Sequence, residues 1–160
     1  MQQKPLITVG IGEVSIASGQ QKMYTLLGSC VALMLYDSKP KIGGMAHVVL
    51  ANQPNTLDAN QRPGKYADAA FDYLLQKMLD AGAQQHRLRA KLAGGSAMFD
   101  TSEPVTIGQR NQHTLTHLLK QHGIPLVSEH CGGTQGRRVT FDLSNGQVRV
   151  EQLDRSAEII

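Results

Sequence analysis

The sequence predicts an α/β protein in which one mixed sheet, or two sheets, carries helices on its outside. Three observations predict this class. Short apolar runs typical of strands occupy the first fifty residues, two segments with helical spacing occupy the middle, and strand-like runs return at the end. A chain of 160 residues is long enough to bury a substantial core, so we expect residues 1–160 to form a single domain.

The first part of the chain is predicted to consist of strands. The apolar runs that indicate them are short, and Gly12 separates the first two. The turn sequence DSKPK at 37–41 separates the next two, which we expect to form an antiparallel hairpin. These strands are predicted at Leu6–Ile11, Glu13–Ala17, Val31–Tyr36 and Ile42–Leu50.

Two helices and four further strands are predicted in the rest of the chain. Apolar residues recur at helical spacing over Tyr66–Ala81 and again from about Gln109 to His122, and a glycine follows each segment as a stop signal. Asn145-Gly146 predicts a tight hairpin turn. The further strands are predicted at Arg87–Ala93, Pro125–Glu129, Arg138–Leu143 and Gln147–Leu153.

Composition and charge exclude several classes of partner. The net charge is only +3 and the basic residues are scattered, so we expect no nucleic-acid binding. No apolar run reaches the roughly 18 residues of a membrane-spanning helix, and no signal peptide is evident, so we expect a cytoplasmic protein without membrane insertion. Cys30 and Cys131 are too few for a disulfide framework, and the absence of CxxC and HExxH motifs predicts no metal site.

Cys30 and His47 are the residues whose spacing suggests chemistry. A tight turn centred on Ser38 and Lys39 would make them direct cross-strand neighbours on one face of the hairpin. Side chains in that relation have Cβ atoms about 4.5–5.5 Å apart, which suits a hydrogen bond between thiol and imidazole. A shift of one residue in the register would place the two side chains on opposite faces.

A thiol beside an imidazole is able to act as a nucleophile. A free cysteine is only a few per cent thiolate at neutral pH, and a neighbouring imidazole removes the proton and stabilises the thiolate. The backbone N–H groups of Ser29 and Cys30 are candidates to stabilise an oxyanion. The alternative is structural, because a cysteine in an apolar strand is commonly a small buried hydrophobe. Spacing alone leaves both interpretations open.

Five segments resemble one known family, in the family's own order. They are LGSCVALMLYD followed by IGGMAHVVL, KYADAAFDYLLQKMLDAGA (Lys65–Ala83), AKLAGGSAMF (Ala90–Phe99, with Ser96 between the glycines and Ala97), IGQRN (Ile107–Asn111) and GGTQGRRVTFD (Gly132–Asp142). Together they span about 135 residues. On these segments the chain resembles the CheD family, the chemoreceptor glutamine deamidases of bacterial chemotaxis.

The resemblance implies a fold, a reaction and partners. The fold is a layered α/β/α sandwich with a mixed, largely antiparallel sheet, related to papain-like deamidases such as the cytotoxic necrotizing factor toxins. The reaction is hydrolysis of selected glutamine side chains to glutamate, a protein-glutamine glutaminase activity. The implied substrate is the cytoplasmic helices of methyl-accepting chemotaxis proteins, and a CheC-type phosphatase is a possible partner. The implied mechanism needs no metal or organic cofactor.

The resemblance also implies a set of catalytic residues. The nucleophile falls on Cys30 and the base on His47. The third catalytic residue of the family is a threonine shortly before the cysteine, for which this chain offers Thr25. The family's own spacing falls instead on Tyr24, and Thr8 is a more distant candidate.

Two other functions remain open at this point. The chain could be a non-catalytic docking or regulatory protein of a chemotaxis complex, or a thiol redox protein with Cys131 as its resolving cysteine. The other polar residues are predicted to be structural or solvated, and only Arg137 and Arg138 suggest an acidic partner. The residues weighed in this way are Arg110, Asn111, His113, His117, Gly94-Gly95 and Gly132-Gly133.

Overall fold

The computed structural model describes residues 6–54, 61–98 and 103–160. Within these ranges the chain forms ten strands, two α-helices and one short 3-10 turn at Gln85–Arg87. The strands are β1 (Ile7–Thr8), β2 (Val14–Ser18), β3 (Lys22–Leu27), β4 (Val31–Asp37), β5 (Ile42–Val48), β6 (Arg89–Gly94), β7 (Leu126–Cys131), β8 (Arg137–Asp142), β9 (Val148–Glu151) and β10 (Glu158–Ile159). The helices are α1 (Ala67–Asp80) and α2 (Ile107–Gln121).

The strands form two five-stranded sheets. The outer sheet has the order β1-β3-β8-β9-β10, and the central sheet has the order β2-β5-β4-β6-β7. Neighbouring strands are antiparallel except for β1 with β3 and β6 with β7. The predicted α/β class and the largely antiparallel pairing that the resemblance implied are therefore confirmed, and of the predicted alternatives, one mixed sheet or two sheets, the structure has two sheets.

Two apolar cores hold the layers together. One lies between the two sheets and the other between the central sheet and the helices. Both helices pack on the same face of the central sheet, so the layers of the described residues run helix, sheet, sheet. This order differs from the α/β/α order that the resemblance implied. The central sheet is buried on both faces, which explains why β4 is a continuous apolar run.

The hairpin of β4 and β5 has a different register from the predicted one. Asp37 pairs with Ile42, so four residues rather than two connect the strands. A two-residue turn would pair Asp37 with Pro40, which has no N–H to contribute to the ladder. Lys41 adopts a positive φ of 54°, which closes the longer connection. His47 consequently faces Ala32 directly, and the prediction that it faces Cys30 directly is wrong by two residues.

The predicted elements otherwise agree with the structure, apart from two strands. The sequence analysis assigned no strand to Lys22–Leu27 or to Glu158–Ile159, which are β3 and β10. Burial alternates regularly along β3, but the residue types do not follow it near the end, because the polar Thr25 is buried and the apolar Leu26 is 60% exposed. In the described ranges, neither helix combines the length and the apolar character that crossing a membrane requires.

Asp37 fixes the end of the β4–β5 hairpin and is completely buried. Its carboxylate accepts hydrogen bonds from the N–H groups of Lys39 and Gln84, and Arg87 Nε donates to both oxygens at 2.9 and 3.0 Å. Burial by itself raises the pKa of Asp37. The accepted hydrogen bonds and the charge of Arg87 outweigh it and hold the pKa below its usual range.

Replacement of Asp37 by asparagine is expected to lower the free energy of unfolding by about 3 kcal/mol at pH 7, because Arg87 loses its charged partner. The folded-state pKa of Asp37 is depressed, so its contribution is present above the unfolded value of about 3.9 and disappears as the pH falls through the folded value. The free energies of unfolding of wild type and variant, measured in urea, should therefore converge at acid pH. Asp72→Asn on the exposed side of α1 serves as the control, and a difference independent of pH would contradict this account.

Candidate active site

His47 lies between the two sheets and contacts a hydroxyl from the opposite sheet. It projects from β5 in the central sheet and is 2% exposed. Thr25 projects from β3 in the outer sheet and is 1% exposed. Thr25 Oγ1 lies 2.8 Å from His47 Nδ1 and 2.7 Å from the carbonyl oxygen of Val9. The hydrogen bond therefore links the sheets across their shared core.

The hydrogen bonds of Thr25 fix the tautomer of the imidazole. The carbonyl oxygen of Val9 can only accept, so the single hydroxyl proton of Thr25 points to it. Oγ1 must then accept a hydrogen bond from Nδ1–H of His47. This places the ring proton on Nδ1 and leaves Nε2 with a free lone pair, the state that a general base requires.

Cys30 lies just before β4, on the face of the central sheet that carries His47. It packs against the core between the sheets together with Ala32 and is only partly buried. The register of the hairpin makes it a diagonal neighbour of His47, and the Cβ atoms of such neighbours lie somewhat closer than about 7–8 Å. An imidazole ring spans much of that separation. Within the described part of the chain, no hydrogen bond joins the Cys30 sulfur to the ring.

The pKa shifts of Cys30 and His47 favour the neutral form of both groups. Burial raises the pKa of the Cys30 thiol. Burial also lowers the pKa of His47, although the neighbouring carbonyl of Val9 and the negative charge of Glu13 oppose the change. Both shifts oppose the thiolate–imidazolium ion pair that a neighbouring imidazole would favour.

The segment Gly94–Ser96 holds the loop that carries the cysteine. Gly95 N–H donates to the carbonyl of Cys30 at 2.9 Å. Ser96 donates to the carbonyl of Gly28 through both its backbone N–H, at 3.0 Å, and its Oγ, at 2.9 Å. Gly94 has φ +111° and a Cβ there would collide with the carbonyl oxygen of Cys30, so only glycine allows this close approach.

Arg137 is only 5% exposed and holds the Gly94–Ser96 segment by hydrogen bonding. Its guanidinium donates to the carbonyls of Gly94 and Gly132 at 3.1 and 2.7 Å, and its Nε donates to His130 Nδ1 at 2.8 Å. The possibility of an acidic partner is therefore disfavoured for Arg137, because its donors are used inside the protein. Arg138 is exposed and remains available.

The two predicted oxyanion donors are unused within the described part of the chain. The carbonyls of Gly28 and Cys30 accept from the Gly94–Ser96 segment, whereas the N–H groups of Ser29 and Cys30 donate to no group there. These N–H groups are thus free to bind an oxygen of a ligand beside the sulfur.

A groove of about 550 Å³ opens beside this loop. Gly28 forms part of its wall, and a Cβ at that position would collide with the sulfur of Met98. Three partly or largely exposed apolar side chains, Leu26, Met98 and Leu153, line it together with the cation of Arg138. Neither Cys30 nor His47 lines this groove, whose lining residue nearest to Cys30 in sequence is Gly28.

The structure separates the other candidates from this site. Thr8 is exposed on β1, where it pairs with Tyr24 on the far side of the outer sheet from His47. His113 and His117 lie on the exposed face of α2, and no cluster of metal-ligating side chains occurs among the described residues. The remaining prediction concerned Asn111, which is buried and donates to the carbonyl of Val49, as expected of a structural polar residue.

Cys131 is separated from Cys30 by a whole strand. Val31 and Cys131 pair with opposite sides of Gly94, so two strand spacings, about 9.5 Å, lie between them. A disulfide needs Cα atoms within about 7 Å. Both thiols are free, and this geometry disfavours Cys131 as a resolving cysteine for Cys30, which directly precedes Val31.

Three residues of the site were missed from the sequence. Val9 supplies a carbonyl through its backbone, which no side-chain pattern reveals. Ser96 and Arg137 act on Cys30 through hydrogen bonds to a chain segment far away in sequence. The sequence feature that could have indicated them is the pair of glycine dipeptides, Gly94-Gly95 and Gly132-Gly133, which had been attributed to packing and loop geometry.

A partly exposed thiol near an imidazole whose Nδ1 is held by a hydroxyl, with free backbone N–H groups beside the sulfur, is the arrangement of cysteine-dependent hydrolases. The family model described as CheD chemotactic sensory transduction matches residues 49–152. The chain belongs to the CheD family. The matched range begins two residues after His47, so the family model itself does not cover the three side chains of the site.

Curated relatives cover nearly the whole chain. A Methanococcus maripaludis protein named probable chemoreceptor glutamine deamidase CheD is 40% identical over 148 residues, which cover 92% of this chain and 95% of that protein. Proteins of the same name from Clostridium novyi and Pyrococcus abyssi are 39% and 41% identical, and cover 92% of this chain and 93% and 91% of their own lengths. Among solved structures, Neisseria meningitidis protein NMB0706 reaches a TM-score of only 0.44 at 15% identity, covering 81% of this chain and 63% of its own.

The reactivity of the two thiols towards an alkylating agent tests whether Cys30 and His47 are both neutral at rest. Alkylation of Cys30 by iodoacetamide should be slow at pH 7 and should rise continuously beyond pH 9, because burial raises its pKa. Cys131 should stay unlabelled in the same experiment, since burial and the charge of Glu129 raise its pKa to about 12. Peptide mapping by mass spectrometry measures both rates. A rate for Cys30 that is already constant between pH 5 and 8 would indicate an ion pair instead.

Proposed function

We propose that this protein hydrolyses glutamine side chains of chemoreceptors to glutamate, with Cys30 as nucleophile and His47 as base. The observation that carries the proposal is the hydrogen bond between Thr25 and His47, which leaves Nε2 as the basic nitrogen on the face that carries the thiol. The names of the relatives support the same reaction. We also propose that residues 1–160 act as one domain in the cytoplasm.

The first half of the reaction forms a thioester. The thiol proton of Cys30 passes to Nε2 of His47 as the sulfur attacks the carbon of the side-chain amide. The carbonyl π electrons move to oxygen, and the N–H groups of Ser29 and Cys30 stabilise that oxyanion. The tetrahedral intermediate then collapses, the C–N bond breaks, and the imidazolium of His47 donates its proton to the departing ammonia. A γ-glutamyl thioester on Cys30 remains.

The second half of the reaction releases glutamate. His47 removes a proton from water as the water attacks the thioester, and the C–S bond then breaks with return of the proton to sulfur. Thr25 accepts from Nδ1–H throughout and therefore stabilises the positive charge of the imidazolium in both halves. Burial lowers the pKa of His47, so the ring returns its proton readily after each transfer.

The substrate is proposed to be a cytoplasmic helix of a methyl-accepting chemotaxis protein, which reaches Cys30 along the groove beside Gly28. A CheC-type phosphatase as a binding partner is part of the same proposal. Docking without catalysis is the alternative function. It would not require an oriented imidazole beside a partly exposed thiol, so the geometry favours the enzyme.

Substitution of either member of the dyad should abolish the reaction. Cys30→Ala and His47→Ala are expected to reduce deamidation of a receptor cytoplasmic fragment by at least about a thousandfold, because neither half reaction proceeds without them. Intact-mass analysis measures the conversion, since each glutamine converted adds about one dalton. Cys131→Ala is the matched control and should retain wild-type activity. Deamidation by Cys30→Ala at the wild-type rate would support the docking function.

The hydroxyl of Thr25 is expected to matter for kcat. Thr25→Val keeps the shape of the side chain but removes the acceptor of Nδ1–H, and we expect kcat to fall about ten- to a hundredfold, which corresponds to the loss of one buried hydrogen bond to a charged group. Thr25→Ser keeps the acceptor and should stay within about threefold of wild type. Initial rates of ammonia release measure both variants, and equal rates for Thr25→Val and wild type would remove Thr25 from the mechanism.

A further inference from the structure

Ser96 makes two hydrogen bonds to one backbone carbonyl. It is fully buried, and its N–H and Oγ lie 3.0 and 2.9 Å from the oxygen of Gly28. One hydrogen bond would be enough to satisfy this carbonyl. The second requires a hydroxyl, which the side chain of Ser96 supplies.

The Gly28 carbonyl belongs to the same peptide unit as the N–H of Ser29. The described residues contain no cis peptide bond, and in a trans peptide the N–H points in the opposite direction to the C=O. Two donors on the oxygen of Gly28 therefore fix the direction of the Ser29 N–H. That N–H has no acceptor of its own within the described part of the chain.

We propose that Ser96 is a positioning residue that acts through the Gly28–Ser29 peptide unit to orient the Ser29 N–H as an oxyanion donor. This inference rests on the proposed function, because it assigns a role in stabilising the oxyanion of that reaction. Ser96 contacts neither the substrate nor the sulfur in this role. It prevents rotation of the peptide plane, which would otherwise turn the donor away as charge develops on the amide oxygen.

The segment that carries Ser96 is itself held firmly. Arg137 and the N–H of Gly132 both donate to the carbonyl of Gly94, at 3.1 and 3.0 Å. On the other side of Ser96, the N–H of Ala97 donates to the carbonyl of Gly133 at 2.8 Å. Through its two hydrogen bonds to Gly28, Ser96 thus holds the loop that ends in Cys30 against a backbone segment that is itself fixed.

Position 96 is also the nearest one in this segment that can carry a side chain. Gly94 and Gly95 both have positive φ, and a Cβ on either would press against neighbouring backbone. The donors at these two positions are therefore limited to the backbone. A hydroxyl at Ser96 is the nearest side-chain group able to add a second restraint to the Gly28–Ser29 peptide.

Ser96→Ala tests the role, because it removes the hydroxyl and keeps the backbone N–H. We expect kcat for ammonia release from a receptor cytoplasmic fragment to fall about five- to twentyfold with KM unchanged, since complete loss of an oxyanion donor costs about a hundred- to a thousandfold and this donor is only loosened. Ser96→Cys, of similar shape but with a weak donor, should give an intermediate kcat. Ser128→Ala is the matched control, because the buried Oγ of Ser128 has no hydrogen-bond partner.

Alkylation of Cys30 by iodoacetamide separates this role from a purely structural one. Alkylation forms no oxyanion, so its rate and pH profile should be the same in Ser96→Ala and wild type. A parallel fall of alkylation rate and kcat would overturn the inference, since Ser96 would then only support the sulfur. Wild-type kcat in Ser96→Ala would overturn it as well. Retention of activity by Cys30→Ala would instead refute the proposed function.

Discussion

The site depends on a single polar contact that crosses an otherwise apolar core. Thr25 and His47 come from different sheets, both are almost fully buried, and Oγ1 and Nδ1 meet at 2.8 Å. Buried donors need acceptors, and both donors of this pair have one, because His47 Nδ1–H donates to Thr25 and the hydroxyl of Thr25 donates to the carbonyl of Val9. The packing of one sheet on the other therefore determines the angle and the tautomer of the imidazole. A change in the distance between the sheets would therefore alter the orientation and the tautomer of the His47 imidazole.

The same burial that fixes the geometry also sets the charge state. It raises the pKa of Cys30 and lowers that of His47, so both shifts favour the neutral pair. For the proposed mechanism, these shifts favour proton transfer from sulfur to Nε2 together with attack on the substrate. A thiol of this kind is poorly reactive towards small electrophiles in solution and reacts where a bound substrate places its carbonyl beside the backbone N–H groups. Selectivity for particular glutamines is consistent with a nucleophile that is activated late.

The sequence predicted the parts of this structure that depend on local pattern. The central strands are apolar on both faces and were recognised as continuous runs, and the helices were found from their spacing. The strand that carries Thr25 was missed because a buried threonine and an exposed leucine reverse its alternation, a local inconsistency that is expected at a functional site. The predicted register of the hairpin was wrong because Pro40 has no N–H and cannot pair with Asp37 beside a two-residue turn. The order of the layers was not predictable, since an amphipathic helix does not reveal which sheet face it covers.

The glycines near the site are explained by the cysteine loop and not by a ligand. Gly94 cannot carry a side chain, because a Cβ would strike the carbonyl of Cys30, and Gly95, which has a positive φ, lies close to the backbone of Gly108 in α2. With both positions free of side chains, the backbone of this segment comes near enough to bind the carbonyls of the loop. Because the carbonyl of Gly28 is engaged on one side, the trans peptide directs the N–H of Ser29 to the other. The direction of the Ser29 N–H is therefore a consequence of the close approach that these glycines allow.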